Sequence, residues 1–227
     1  MEFMVKRKVI NGNEIQLIAF DFDGTLLDST TAIIESIQCA AADIGGPVPS
    51  TERASHIIGL GLLDALRHAM PDLPQERYRE LGDRYRYHYL ARDHELRLFA
   101  GVEMLLEELA DAGYLLTVAT GKSRLGLDRA LGATGLGTRF QSSRCADECH
   151  SKPHPQMLQE LMDEFCVSPE ATLMIGDTTH DLLMAKNASV HAVAVTYGAH
   201  SREVLEAESP AYCANNVEEL RAWLTSR

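Results

Sequence analysis

Two aspartates, Asp21 and Asp23, lie one residue apart at the end of an apolar run in the stretch LIAFDFDGTLLDST, residues 17–30. The run at residues 17–20 is short and apolar, which is typical of a buried strand. A buried carboxylate without a partner is costly, so we expect both side chains to lie where the strand ends and a cation can meet them. Such a pair could bind a metal ion, or it could attack an electrophile and move a proton.

Further polar side chains follow later apolar segments. In open parallel sheets, ligands bind outside the carboxyl ends of the strands, so the residues that follow each predicted strand should form one site. These residues are Thr120, Gly121, Lys122 and Ser123 after the segment 114–120, Lys152 before a predicted helix, and Asp177 and Asp181 after the segment 172–176.

This set combines several carboxylates with a lysine and a hydroxyl. Carboxylates that lie close together repel unless cations offset them, and hard oxygen ligands suit Mg²⁺. A metal and Lys152 together would hold a phosphate, while one carboxylate attacks phosphorus and a second moves protons at the leaving oxygen. The tight turn after Asp23 needs Gly24, and backbone N–H groups there, next to Thr25, can point at phosphate oxygens.

Each of these pieces has a plainer interpretation when taken alone. The aspartate pair could be a simple metal site or part of a helix cap, since Asp28 and Ser29 resemble caps for the next helix. Lys152 alone would most often be a surface lysine, and GDTTHD at residues 176–181 could be a turn. Their order along the chain, each at the end of a predicted strand, favours a shared catalytic site.

Two other groups keep open interpretations. Cys145, Cys149, His150 and His154 are clustered and could form a zinc site, although a surface loop is the more ordinary interpretation. His180, within GDTTHD, could face the site, but we expect a solvent-exposed loop histidine.

Strands alternate with helices over most of the chain. The predicted strands are residues 17–20, 114–120, 172–176 and 191–197, with a weaker one at 211–214, and the predicted helices between them are 101–113 and 153–165. This alternation predicts an α/β fold, a parallel sheet with helices on both faces.

Residues 30–99 interrupt the alternation because they contain no convincing strand. Helices are predicted at residues 30–45, 61–70 and 74–93. The arginines of the third could contact a substrate phosphate, but a solvated face with paired acids is favoured: Arg77, Arg79, Arg84, Arg86 and Arg92. We therefore predict a core of residues 1–29 and 100–227 with a helical domain inserted at residues 30–99.

Composition narrows the class of partner. The chain has 227 residues and a net charge of −12, which argues against nucleic acid as the main partner. No apolar run approaches the ~20 residues needed to cross a bilayer, so no membrane partner is expected. The odd number of cysteines, five, and the lack of a secretory signal favour a reducing cytoplasm. The sequence leaves the oligomeric state open.

Four motifs together resemble the haloacid dehalogenase superfamily of phosphotransferases. DFDGTLLDS, residues 21–29, is similar to its first motif, and TVATGKS, residues 117–123, is similar to its second. SKPHP, residues 151–155, and MIGDTTHD, residues 174–181, match the third and fourth. The resemblance covers nearly the whole chain and is strongest to the phosphoglycolate phosphatase-like group. It implies a Rossmann-like core with the helical insertion as a cap over small substrates.

The resemblance also implies a role for each motif residue. Asp21 is similar to the nucleophile that becomes an aspartyl phosphate, and Asp23 resembles the general acid/base, whose backbone carbonyl also binds Mg²⁺. The remaining roles are phosphoryl binding by Thr120, Gly121 and Lys152, Mg²⁺ binding by Asp21, Asp23 and Asp177, and support from Asp181, Gly24 and Thr25.

The leading hypothesis is a Mg²⁺-dependent phosphomonoesterase that acts on a small phosphorylated metabolite, with 2-phosphoglycolate as the default from resemblance. A sugar phosphomutase of the β-phosphoglucomutase type, or a binding module that kept the fold without turnover, remain alternatives. A dehalogenase is disfavoured, because Asp23 and the acids of the fourth motif fit a metal and a phosphate better. Specificity is expected to reside in residues 45–95.

Overall fold

The computed structural model describes residues 7–226. Its strands are β1 (Val9–Ile10), β2 (Asn13–Glu14), β3 (Leu17–Phe20), β4 (Leu115–Thr120), β5 (Ser142–Cys145), β6 (Thr172–Gly176), β7 (His191–Val195) and β8 (Tyr212–Ala214). Its α-helices are α1 (Thr30–Asp43), α2 (Thr51–His56), α3 (Leu62–Ala69), α4 (Tyr78–Arg92), α5 (Val102–Asp111), α6 (Arg124–Thr134), α7 (Gln156–Phe165), α8 (Thr179–Asn187), α9 (Arg202–Glu206) and α10 (Val217–Thr225).

Six strands form one parallel sheet in the order β5-β4-β3-β6-β7-β8. The central strand β3 has all four side chains buried, as expected for a parallel strand covered on both faces. Strands β4 and β6 flank it on either side, and both run in its direction. The prediction of an α/β fold with a parallel sheet is therefore confirmed.

Helices cover both faces of this sheet. Apolar side chains of α5, α6 and α10 pack with one face, and those of α7 and α8 pack with the other. The predicted strand at residues 211–214 is confirmed as β8, whereas the helix predicted to begin near Pro153 begins at Gln156.

Several elements were not predicted, among them the helices α6, α8, α9 and α10. The edge strand β5 has the sequence SSRC, in which polar residues hide the apolar signal of a strand. The β1–β2 pair is an antiparallel hairpin of two residues a strand, and α2 is a six-residue helix. Short elements such as these carry too few residues for a periodic pattern.

Helices α1–α4 have a hydrophobic cluster of their own, which includes Ile37, Leu66 and Leu81. The chain leaves and re-enters the sheet domain at one place, because Leu27 pairs with Leu98 in an antiparallel bridge. These observations support our proposal that residues 30–99 are a cap domain inserted into a core of residues 1–29 and 100–227. Residues 1–6 and 227 of that division lie outside the described residues.

The arginines of this helical unit pair mainly with nearby acids on its surface. Arg77 bonds Glu80 at 2.9 Å and Arg86 bonds Asp83 at 3.0 Å. Arg84 pairs with Asp43, and Arg92 pairs with Glu35. Four of the five arginines thus follow the predicted pattern of a solvated face with paired acids, and Arg79 is exposed. Within residues 7–226, no helix is both long and apolar enough to cross a bilayer.

Candidate active site

The predicted site residues meet at the carboxyl ends of the three central strands. Strand β3 ends before Asp21, β4 ends at Thr120, and β6 ends before Asp177. The backbone N–H of Asp21 donates to the carbonyl of Ile175 at 2.9 Å, which fixes the first strand end against the third. The sheet therefore brings side chains separated by more than 150 residues to one edge.

Lys152 connects two of the buried carboxylates. Its Nζ donates to Asp21 Oδ1 and to Asp181 Oδ1, each at 2.6 Å. All three side chains are at most 1% exposed. The second oxygen of Asp181 accepts hydrogen bonds from the backbone N–H and hydroxyl of Thr178, in a capping box that begins α8. Lys152 is thus a buried structural cation, and the surface interpretation of this lysine is wrong.

Asp177 is held by groups from two different loops. Its Oδ1 accepts from the Thr25 hydroxyl at 2.9 Å, and its Oδ2 accepts from the Ala199 N–H at 2.8 Å. Two glycines make room for it, since a Cβ on Gly24 or on Gly198 would lie 2.2 Å from Asp177 Oδ2. Gly24 also has φ +79°, a conformation that favours glycine. The predicted turn after Asp23 therefore needs Gly24 for both conformation and space.

Asp23 points to a different set of partners from Asp21. Its Oδ1 accepts from the Ser29 hydroxyl at 2.6 Å, and its Oδ2 pairs with Lys122 Nζ at 2.9 Å. Ser29 precedes α1 but makes no side-chain capping bond, so the interpretation of Asp28 and Ser29 as side-chain caps is wrong for Ser29. The hydroxyl that resembled a cap instead orients Asp23.

Thr120 and Gly121 form the end of β4. The Thr120 hydroxyl accepts from the backbone N–H of Lys122 at 3.2 Å. A Cβ on Gly121 would lie 2.5 Å from the carbonyl oxygens of Gly59 and Leu60, which belong to the loop between α2 and α3. Gly121 therefore lets this loop of the helical unit rest directly on the strand end.

The end of α2 and the loop that follows it make three further contacts with the sheet domain. The Ser55 hydroxyl donates to the carbonyl of Ala199 at 2.6 Å, and the N–H of Gly61 donates to the Ser151 hydroxyl at 2.8 Å. His180 Nε2 donates to the carbonyl of His56 at 2.8 Å. The expectation of an exposed loop histidine is wrong, because His180 is half-buried in the first turn of α8 and binds the end of α2. Asp21 itself is 0% exposed.

The buried carboxylates carry more negative charge than Lys152 offsets. Asp21, Asp177 and Asp181 each offer an oxygen within 4.8 Å of the others. Burial is the main cause that raises the pKa of Asp21 to about 7, against the opposing effect of Lys152. Burial and the charges of the other two aspartates raise the pKa of Asp177. For Lys152, burial opposes the charged form, but the two ion pairs outweigh it and raise its pKa.

This group fits a divalent cation. Three carboxylates and one lysine leave a formal charge of −2, which an ion of charge +2 would balance. Asp21 Oδ2 is also buried without a hydrogen-bond partner among the described residues, so an acceptor oxygen lies ready for a cation. Oxygen-only ligands favour Mg²⁺ over softer metals. The third carboxylate of this group is that of Asp181, whereas the predicted metal set joins the backbone carbonyl of Asp23 to the carboxylates of Asp21 and Asp177.

A stability measurement tests this charge imbalance. A raised pKa in the folded state means that the folded protein binds protons more tightly than the unfolded chain, whose Asp titrates near ~4. Ionisation of Asp21 therefore costs stability as the pH rises from about 4 to about 7. In EDTA, we expect Asp21→Asn to raise Tm at pH 8 by roughly 2–6 °C, and by less at pH 5.

The control for this experiment is Mg²⁺. We expect it to raise the Tm of the wild type more at pH 8 than at pH 5, because only the ionised carboxylates bind it. A Tm for Asp21→Asn below that of the wild type in EDTA at pH 8 would contradict an excess of negative charge in this group.

The Cys/His cluster does not form a comparable group. Cys145 lies at the buried end of β5 and Cys149 is buried, whereas His150 is exposed. Burial raises the pKa of Cys145 to about 12 and that of Cys149 to about 11, which keeps both thiols protonated. Within residues 7–226, Asp21, Asp177 and Asp181 are the only group of three or more His, Cys, Asp or Glu close enough to share a metal. The zinc interpretation is therefore not supported, and the surface-loop interpretation is wrong for both cysteines.

Several residues of the site were not assigned a role from the sequence. Ser29 and Lys122 bind Asp23, Ala199 binds Asp177, and Tyr89 of α4 binds Lys122 at 3.0 Å. Lys122 belongs to the predicted second motif, so the sequence predicted its place in the site but not its ion pair with Asp23. Nothing in the sequence marks Tyr89 or Ala199, because their contacts depend on how the helical unit and a distant loop fold back.

Comparisons with known proteins show which family the chain is similar to. Residues 18–195 match the family model described as haloacid dehalogenase-like hydrolase. A probable phosphatase, IndB, from Dickeya dadantii is 35% identical over 210 residues, which cover 90% of this chain and 91% of that protein. A phosphoglycolate phosphatase from Vibrio parahaemolyticus is 33% identical over 219 residues, covering 91% and 95%.

A third relative and a solved structure extend the comparison. A 5'-nucleotidase from Pseudomonas aeruginosa is 31% identical over 211 residues, covering 92% of this chain and 95% of that protein. The crystal structure of a predicted phosphoglycolate phosphatase from Haemophilus somnus superposes with a TM-score of 0.81 at 26% identity. That superposition covers 91% of this chain and 96% of the other, so it includes both the sheet domain and the helical unit.

Proposed function

Because the chain belongs to the haloacid dehalogenase-like hydrolase family, we propose that it is a Mg²⁺-dependent phosphomonoesterase that hydrolyses a small phosphorylated metabolite. The observation that carries the proposal is the buried oxygen of Asp21 that has no hydrogen-bond partner within residues 7–226 and lies beside a fully buried Lys152. A carboxylate with a free oxygen next to a cation suits attack on the phosphorus of a dianionic ester. Relatives named phosphatase, phosphoglycolate phosphatase and 5'-nucleotidase support a phosphate ester as the substrate.

In the proposed reaction, Asp21 is the nucleophile. Its carboxylate oxygen attacks phosphorus, the bond from phosphorus to the leaving oxygen breaks, and an aspartyl phosphate forms. Lys152 and the Thr120 hydroxyl, with backbone N–H groups near Gly121, hold the phosphoryl oxygens. Lys152 suits this task because its two ion pairs fix its Nζ next to the attacking carboxylate.

Asp23 supplies and removes the proton. As an acid it protonates the leaving oxygen, and as a base it then takes a proton from the water that attacks the aspartyl phosphate. The bonds from Ser29 and Lys122 fix its carboxylate for both steps. The loop between α2 and α3 excludes bulk water while the phosphoenzyme exists.

A bound Mg²⁺ would be held by Asp21, by Asp177 and by the backbone carbonyl of Asp23, with Asp181 in support, and it would offset charge on the phosphoryl oxygens. Thr25 and Ala199 orient the Asp177 carboxylate for this purpose. Gly24 lets that carboxylate lie against the turn.

The first test is release of p-nitrophenol from p-nitrophenyl phosphate, with Mg²⁺ and with EDTA. We expect turnover with Mg²⁺, loss in EDTA and recovery when Mg²⁺ is added back in excess. A panel of small esters then follows, with free phosphate as the readout: 2-phosphoglycolate, nucleoside monophosphates and sugar phosphates. Silence across the panel with Mg²⁺ present would reject the phosphatase proposal and favour a binding module.

One arm of the panel separates hydrolysis from isomerisation. A phosphomutase would need a sugar bisphosphate for activity and would convert a sugar monophosphate without releasing phosphate. We expect free phosphate and no activation by a sugar bisphosphate.

A further inference from the structure

We propose that Lys122 selects the substrate by pairing with a second anionic group on the leaving-group side of the phosphate ester. This inference rests on the proposed function and names its substrate class, a small ester with a carboxylate or a second phosphate close to the ester oxygen. It makes Lys122 a specificity-determining residue, with Tyr89 as its partner from α4.

Lys122 and Lys152 bind different members of the aspartate pair. Lys122 Nζ lies 2.9 Å from Asp23 Oδ2, whereas Lys152 lies 2.6 Å from Asp21. In an in-line displacement, the attacking and leaving oxygens are on opposite sides of phosphorus. Since Asp21 attacks and Asp23 protonates the leaving oxygen, the two lysines divide between the two sides. Lys152 serves the phosphoryl group, and Lys122 serves the leaving group.

The ammonium of Lys122 can form one further hydrogen bond. An ammonium has three donors, and within the described residues two of them meet Asp23 and the Tyr89 hydroxyl, the latter at 3.0 Å. Lys152 also has two partners, the carboxylates of Asp21 and Asp181, and the proposed mechanism assigns its remaining donor to the phosphoryl oxygens. Lys122 is therefore the cation of the site that keeps a donor for a second anionic group.

Aromatic side chains lie around the ammonium of Lys122. Its side chain is 9% exposed, and its Nζ lies 5.0 Å from the ring centre of Tyr89 and 6.0 Å from that of Phe22. Tyr85 stacks on Tyr89 with ring centres 5.8 Å apart, which extends the aromatic wall along α4. In such low-dielectric surroundings a charge-assisted bond to an anion is strong.

A plainer role for Lys122 would be to hold Asp23 and α4 in place. That role would support every substrate equally, whereas selection of an anion would act on anionic leaving groups alone. The ratio of kcat/KM between an anionic ester and a matched neutral ester separates the two roles, because any general loss cancels in the ratio.

The experiment measures kcat/KM for 2-phosphoglycolate, for 2-hydroxyethyl phosphate, which has a neutral hydroxymethyl group in place of the carboxylate, and for 1,2-ethanediol bisphosphate. We expect the wild type to prefer an anionic ester over the neutral one by about 100-fold. Lys122→Met should reduce that preference to below about 5-fold, and Lys122→Arg should retain most of it because the charge remains. The bisphosphate arm decides whether the second anion is a carboxylate or a phosphate.

The control variant is Lys186→Met. The side chain of Lys186 lies on α8 and is 69% exposed, so this substitution should leave the ratio of kcat/KM between anionic and neutral esters unchanged. Equal losses for anionic and neutral esters in Lys122→Met, or no preference in the wild type, would overturn the assignment while the phosphatase proposal stands. No phosphate release from any ester by the wild type would overturn both.

Discussion

Asp21→Asn is expected to lower kcat for the best ester of the panel by at least roughly 10⁴-fold while leaving the protein folded. The amide oxygen can still accept the bond from Lys152, which is 2.6 Å in the wild type, but it cannot attack phosphorus. The measurement is phosphate release in Mg²⁺, with a thermal melt to verify folding.

The matched control is Asp28→Asn, seven residues along the same segment. Asp28 is exposed, and within residues 7–226 its carboxylate forms no hydrogen bond or ion pair, so its loss should leave kcat within about 2-fold of the wild type. Substantial turnover by Asp21→Asn would mean that another group attacks phosphorus, and it would remove the basis of the mechanism.

Lys152→Met is expected to have the largest effect on stability. The variant would leave Asp21 and Asp181 buried without their shared cation, and removing one partner of a buried ion pair costs about 3–5 kcal/mol. Turnover should also fall by more than about 100-fold, because the phosphoryl group loses its fixed ammonium. The measurement is urea unfolding in EDTA together with kcat in Mg²⁺.

Two controls make the Lys152 result interpretable. Lys186→Met removes an exposed lysine and should leave the free energy of unfolding within about 0.5 kcal/mol of the wild type. Adding Mg²⁺ to Lys152→Met should restore part of the lost stability, since a divalent cation offsets the same carboxylates. A variant as stable as the wild type in EDTA would contradict the assigned role of Lys152 in balancing the buried charge.

The sheet was predictable because its strands are buried on both faces. Residues 17–20 and 172–176 stand out as apolar runs, and the structure assigns strands with the same bounds. The residues that follow those runs were equally visible, since polar groups after a buried strand must lie at its end. The edge strand β5 was missed because Ser142, Ser143 and Arg144 give it no apolar pattern.

The partners of the site residues were not predictable in the same way. Ser29 could be recognised as a residue before a helix, but its bond to Asp23 depends on a turn that reverses the chain between them. The bond between Lys122 and Tyr89 joins residues 33 positions apart and depends on how the helical unit closes. His180 shows the same limit, because its contact with His56 spans the two units. Local patterns carry no information about such closures.

Asp21 and Asp23 have different partners although they lie one residue apart in the sequence. They leave one strand end together, yet Asp21 bonds Lys152 and Asp23 bonds Lys122 and Ser29. Asp21 thus keeps one oxygen without a hydrogen-bond partner among the described residues, whereas the carboxylate of Asp23 is held by two donors. This division supports the proposed separation of attack from proton transfer.

The most direct test of the proposed nucleophile is to trap the phosphoenzyme. The wild type with Mg²⁺ is mixed with a phosphate ester that it hydrolyses, quenched in acid within one turnover, reduced with borohydride and mapped by peptide mass spectrometry. Borohydride reduces an acyl phosphate to an alcohol, so the account predicts that the side chain of Asp21 is reduced and that Asp23 is unchanged. Reduction at Asp23, or efficient turnover with neither aspartate modified, would contradict it.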